Sequence, residues 1–158
     1  EIYTGEDTLS LHDALPIWKL ILGGIEIPYE YGLAGHSDAD VLIHAIIDAL
    51  IGAVALGDIG KLFPDNDSKF KDIDSKILLK KVYQQISELG YQINNIDSTI
   101  ILEQPKLRDY IDLMRASLAK VLDLRIDQIS IKAKTSEKIG VVGRGEAAIA
   151  EAVVLLIK

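Results

Sequence analysis

The stretch GLAGHSDADVLIHAIIDALIGAVALGD, residues 32–58, passes from a glycine-rich loop into a long apolar run. Its apolar residues recur at helical spacing, and Ser37 with Asp40 three residues on is close to a capping box. The pattern predicts a helix with Ser37 as N-cap, ending near Gly57. The run VLIHAIIDALIGAVALG is interrupted by His44 and Asp48. It falls short of the roughly 20 apolar residues that a membrane-spanning helix needs, so a soluble domain is expected.

Outward from this helix the pattern alternates. KLILGGIEIPYE (19–30) reads as two short strands around Gly23-Gly24, with Ile25 and Ile27 on one face. DIDSKILLKKVYQQISELG (72–90) reads as an amphipathic helix carrying Ile77, Leu78, Val82, Ile86 and Leu89, stopped by Gly90. YQINNIDSTIILE (91–103) alternates like a strand. KLRDYIDLMRASLAKVLDL (106–124) returns to the helical period through Leu107, Ile111, Met114, Leu118 and Val121. DQISIKAKT (127–135), with Ile129, Ile131 and Ala133 on one side, and EAAIAEAVVLLIK (146–158) close the chain as strands. The order β-β-α-α-β-α-β-β implies an α+β class: a small mixed sheet with helices packed on one face.

Composition narrows the function. The 158 residues are 49% hydrophobic and 26% charged, enough for one domain with a real core. A formal charge of -7 argues against a nucleic-acid surface, which needs clustered Lys and Arg. The absence of cysteine excludes disulfides, thiolate nucleophiles and Cys zinc sites, and fits a reducing, cytoplasmic setting. Any metal must use His and carboxylates. There are three histidines, His12, His36 and His44.

Three stretches carry candidate chemistry. In HSDADVLIHAIIDAL, Asp40, His44 and Asp48 are four apart and lie along one side of the helix with about 40° of drift per step. That side is expected to point out of the apolar helix and to seek polar partners. One reading is a buried histidine satisfied by neighbouring carboxylates; the other is a metal-ligand imidazole oriented by an aspartate. His36, before the helix N-terminus, favours an anion nearby. GDIGKLFPDND (57–67) is either a capping loop or a pocket in which Asp58 accepts from vicinal hydroxyls and Gly60 lets the backbone come close. In KAKTSEKIGVVGRGE (132–146), Thr135 and Ser136 can donate to phosphate, Glu137 can bind a cation, and Lys132, Lys134, Lys138 and Arg144 add positive charge. Spread through a loop, these are equally the composition of a solvated surface.

The three together, with EQPKL (103–107), occur in an order and separation that closely resemble the 2-C-methyl-D-erythritol 2,4-cyclodiphosphate synthase family, from about Lys19 to Lys158. The resemblance implies a homotrimer of α+β subunits, with active sites between subunits. It implies that 4-diphosphocytidyl-2-C-methyl-D-erythritol 2-phosphate is cyclised with loss of CMP, in a bacterial cytoplasm, with no nucleic-acid or membrane partner. His44 would be a ligand of a divalent metal, usually zinc. His36 and Ser37 would contact the phosphates, and His36 and Thr135 would stabilise the transition state. Asp58 and Gly60 would hold the methylerythritol, beneath a flap of Phe63, Pro64, Asp65, Asn66 and Asp67. Leu102, Pro105, Lys106, Leu107 and Arg108 would form the cytosine pocket. Lys134 and Ser136 would bind the diphosphate, Glu137 a second cation, usually magnesium, and Arg144 would complete the phosphate contacts. Val141 stands where some relatives have Phe.

The beginning departs from that pattern. The family's first strand carries an Asp-x-His pair that joins the later helix histidine on the metal. Here EIYTGEDTLSLHDALPIW (1–18) offers Asp7 but has Leu9 where the second ligand belongs. His12-Asp13, which alone suggests a metal ligand or triad, has the wrong order and spacing. TLSLHDALPI instead resembles one translated reading frame of a short-read library adaptor. Residues 1–17 are therefore expected to be a non-native segment, and 18–158 a single synthase domain lacking its first strand. Two outcomes are then expected to compete: a working synthase, or a non-catalytic remnant that keeps its ligand pockets but has one metal ligand of three, and so little activity. A generic metal phosphohydrolase is a third reading.

Overall fold

The computed structural model describes residues 18–35, 37–64 and 66–158. Strands β1 (Leu20–Leu22) and β2 (Ile25–Ile27) pair antiparallel around Gly23 and Gly24, whose φ of +59° and +74° suit a tight turn. A side chain at Gly23 would fall 2.7 Å from the Met114 Cβ, so this turn admits nothing larger.

Helix α1 is Val41–Ala53, and its N-cap is Asp40 rather than Ser37. The Asp40 carboxylate accepts from the Ile43 N–H at 3.0 Å, while Ala39 takes φ +57° and sets the chain outside the helix up to that point. The helix also stops before Gly57, because Val54 and Ala55 already bond back to the last turn. Leu42, Ile43, Ile46, Ile47, Leu50 and Ile51 are fully buried. At about 2 kcal/mol for each such side chain, α1 is the principal source of core stabilisation. The row Asp40, His44, Asp48 does not all face outward as expected: Asp40 is wholly buried as the cap.

Helix α2 (Ile59–Leu62) is a single turn inside what reads as a loop, capped by Asp58. Helix α3 (Ser75–Glu88) is capped by Asp74 and ends at Gly90, with φ +85°. It buries Leu78, Leu79, Val82 and Ile86, while the predicted core residues Ile77 and Leu89 are exposed. The apolar stripe is thus turned by one position toward Leu79. Helix α4 is Ile111–Leu122, entered through a 3-10 turn at Arg108–Tyr110, with Leu107, Met114 and Leu118 in the core.

There are two sheets among the described residues rather than the one expected. In the larger, β3 (Gln92–Ile101) is central, parallel to β4 (Ile129–Lys134) and antiparallel to β5 (Ile149–Ile157). Ile93, Ile96, Ile100, Ile129, Ile131 and Ala150 face the core, where α1 crosses β5 and packs on α3, and α4 lies on β4. Ala133, expected on the inner side, is exposed at the strand end. The opposite face carries the Asp97–Lys132 ion pair and the exposed Val153, Leu155 and Ile157. Because β3 and β4 are parallel, both end at the same edge, and the chain leaves them there in two adjacent loops.

Candidate active site

One cluster sits at the start of α1. The Asp40 carboxylate accepts from the Gly23 N–H at 3.0 Å and the Gly24 N–H at 2.6 Å, in addition to Ile43. It thereby clasps the hairpin to the helix. Burial pushes this carboxyl up to about 7, with Asp38 adding in the same direction and the three N–H donors opposing.

Beside it, His44 Nε2 lies 3.0 Å from both the Ser37 and Ser75 hydroxyls. Ser75 is fully buried; its hydroxyl donates to Asp38 Oδ1, and its N–H donates to Asp38 Oδ2 at 2.9 Å. A hydroxyl that gives its one proton to Asp38 can only accept from the imidazole, so the Ser75 contact is a hydrogen bond in the tautomer with its hydrogen on Nε2. His44 thus has polar partners, as expected, but they are two hydroxyls, with the Asp38 carboxylate one step behind Ser75. Asp38 and Ser75 were not legible as partners, because they lie 37 residues apart. Their one signal is Ser75 following the capping Asp74.

Next along the chain, Asp48 accepts from the Ile59 N–H at 2.8 Å and Asp58 from the Lys61 N–H at 2.9 Å, fixing the turn that holds Gly60. Phe63 stacks edge-on with the buried Phe70 at 5.3 Å between centroids. Pro64 and Asn66 are exposed, and Asp67 pairs with Lys69, whose side chain holds its carboxyl below the usual range. His36 and Asp65, like Asp7, Leu9, His12 and Asp13, lie outside the described residues.

A second cluster occupies the shared edge of β3 and β4. The Leu102 N–H donates to the Lys134 carbonyl at 2.9 Å, and Glu103 accepts from the Ser136 N–H at 3.1 Å. These two bonds bring residues 102–108 beside 134–137. Pro105 follows a cis peptide, Lys106 and Arg108 are exposed, and the Leu107 side chain is in the core. Only the Leu107 backbone is therefore available at that edge. The Thr135 hydroxyl donates to Glu137, the Ser136 hydroxyl donates to the Ile139 carbonyl at 2.7 Å, and Glu137 and Lys138 have φ of +51° and +63°. Val141, in the short helix α5 (Gly140–Gly143), is half exposed, and Arg144 is paired with Glu146 at 2.8 Å.

The structure thus gathers Ser37 with His44, and Lys134 to Glu137 with the 102–108 loop. His44 and Glu137 belong to different clusters. Among the described residues no group of three or more His, Asp or Glu is placed to hold a metal ion. Among the described residues His44 is therefore not joined by two further ligating side chains, and these residues alone do not make a complete divalent-ion site.

The sequence model of the YgbB family matches residues 2–157, starting ahead of Lys19. A 2-C-methyl-D-erythritol 2,4-cyclodiphosphate synthase of Actinobacillus succinogenes is 54% identical over 98% of this chain and 96% of its own length. That of Natranaerobius thermophilus is 61% identical over 94% of each. Among solved structures, a 2C-methyl-D-erythritol-2,4-cyclodiphosphate synthase covers 90% of this chain and 93% of its own at a TM-score of 0.83 and 35% identity. A form of such a synthase bound to CDP covers 88% and 90% at a TM-score of 0.81 and 34% identity.

Proposed function

The chain belongs to the YgbB family, and from that membership we propose that it is a phosphorus–oxygen lyase of isoprenoid precursor synthesis. Its reaction converts 4-diphosphocytidyl-2-C-methyl-D-erythritol 2-phosphate to 2-C-methyl-D-erythritol 2,4-cyclodiphosphate and CMP. The alternative of a non-catalytic remnant has no support in these relatives.

The observation that carries the reading is the pairing of the 102–108 loop with the 134–137 turn at one sheet edge. Cytosine read by backbone groups around Pro105 and Lys106 would set its diphosphate against Lys134, Thr135 and Ser136. An oxygen of the 2-phosphate then attacks the β-phosphorus in line. The bond from that phosphorus to the bridging oxygen breaks, and CMP leaves with the electron pair; no water is consumed and no protein nucleophile is needed. The residues act by position and charge: Thr135 would donate to the phosphoryl oxygens where negative charge develops, and His36 and Ser37 would contact the phosphates. Asp58 and the Gly60 backbone would hold the polyol hydroxyls, the segment Phe63 to Asp67 would cover them, and Arg144 would add charge. A divalent metal supplies charge neutralisation when bound. Zinc at His44 and magnesium at Glu137 are the assignments we propose, the former completed by ligands beyond the described residues.

Assembly as a homotrimer belongs to the same reading. The α1 cluster and the strand-edge cluster hold complementary halves of the chemistry, and the exposed Val153, Leu155 and Ile157 supply an apolar face that a second copy can cover. A cytoplasmic location also belongs to it. So does a non-native origin for residues 1–17, whose replacement by an Asp-x-His strand is expected to raise metal content and activity. Incubation with the substrate, followed by phosphorus NMR, tests the activity. Cyclic diphosphate with stoichiometric CMP is expected; CMP with only the open 2,4-bisphosphate would indicate a phosphohydrolase, and no turnover with the restored strand would reject both.

A further inference from the structure

Glu103 has no part in the reaction as derived, yet it joins two of its components. It leaves the end of β3, and its Oε2 accepts from the Ser136 N–H at 3.1 Å across 33 residues of sequence. The backbone ladder between the parallel strands ends one step earlier, at the bond from the Leu102 N–H to the Lys134 carbonyl. A side chain therefore continues the pairing where the two backbones diverge into their loops.

The turn it holds needs holding. Glu137 and Lys138 both sit in the left-handed region, which costs a non-glycine residue about 1–2 kcal/mol each unless its surroundings enforce it. From behind, Gly143 packs so closely that a Cβ there would lie 2.2 Å from the Lys138 carbonyl carbon. From the front, Glu103 fixes the amide that opens the turn. A carboxylate is otherwise a poor choice at this point. It brings negative charge to a turn that receives a diphosphate, and it occupies an amide that could itself donate to phosphate. Its contribution is geometric.

We propose that Glu103 is a positioning residue that couples the nucleobase loop to the phosphate turn, so that binding of cytosine and binding of diphosphate reinforce each other. The inference rests on the synthase reading above. Such coupling is reciprocal and is measurable as the gain in affinity from cytidine to CDP.

Calorimetric titration of the full chain with cytidine and with CDP tests it, using Glu103→Ala, Glu103→Asp and Glu103→Gln. Losing a charged acceptor from one amide is expected to weaken CDP about tenfold in the Ala and Asp variants, while cytidine stays within about twofold. Gln, whose amide oxygen still accepts, is expected to restore CDP binding to within about threefold of the wild type. Asp keeps the charge but loses the reach, so the comparison stands even if the Ala variant folds poorly. Unchanged or tighter CDP binding in both the Ala and Asp variants overturns the coupling, as does an equal loss for cytidine and CDP. A wild-type chain that binds neither ligand overturns the synthase reading itself.

Discussion

The two clusters are built on opposite terms. At the start of α1, Asp40 and Ser75 are fully buried, and each is satisfied by several partners from distant segments. At the edge of β3 and β4, Thr135 to Lys138 are half to fully exposed, bonded to one another, to Ile139 and to Glu103, and in part strained. The first region resembles a core that happens to be polar; the second resembles a receptor. A buried polar network contributes to stability and fixes geometry, whereas an exposed strained turn contributes little stability and has donors to offer a ligand. Substitutions in the two regions should therefore separate stability from activity.

The largest effect expected is on turnover. Thr135→Ala should lower kcat by about 10²–10³ with the Tm unchanged, since it removes one donor from a half-exposed turn; a Tm drop with kcat intact would erase the distinction between the clusters. Next, Asp40→Ala leaves three N–H groups without their acceptor and should lower unfolding free energy in urea by about 3 kcal/mol. This contribution also depends on pH. Asp40 rises from an ordinary 3.8 to about 7 on folding, so between those values the folded state binds the extra proton. Its stabilisation is then full below the lower value and declines as pH rises toward the upper one. The stability difference between wild type and Asp40→Asn should accordingly be larger at pH 5 than at pH 8. Ser75→Ala should cost about 1–2 kcal/mol and release the imidazole tautomer, seen as a change in the His44 ring nitrogen shifts; unchanged shifts would mean that Ser75 does not orient the ring. The smallest effect is a gain: Ala39→Gly, at φ +57°, should add about 0.5–1 kcal/mol in thermal unfolding.

What was legible in the sequence followed from periodicity. α1, α3, α4 and the three long strands were readable because their apolar residues recur at the helical or strand period. The cap of α1 was misplaced because Ser37 and Asp40 are both good caps, and only the hairpin amides of Gly23 and Gly24 select Asp40. Ile77 and Leu89 read as core because helical spacing does not say which neighbouring stripe meets α1. The candidate residues Thr135, Ser136 and Glu137 were recognisable as a group because they are contiguous. Ser75 beside His44, and Glu103 beside Ser136, were not, since contacts across 31 and 33 residues leave no local trace.

The Asp40 clasp also has a bearing on the order in which the chain folds. It closes across 17 residues, whereas the Glu103 bond that holds the turn closes across 33. Each doubling of loop length adds about 0.6 kcal/mol of closure entropy, so the hairpin and α1 can associate while the larger sheet is still open. The hairpin–helix unit is thus placed to act as an early template, while the Glu103 bond to the 134–138 turn needs β3 and β4 in their parallel register.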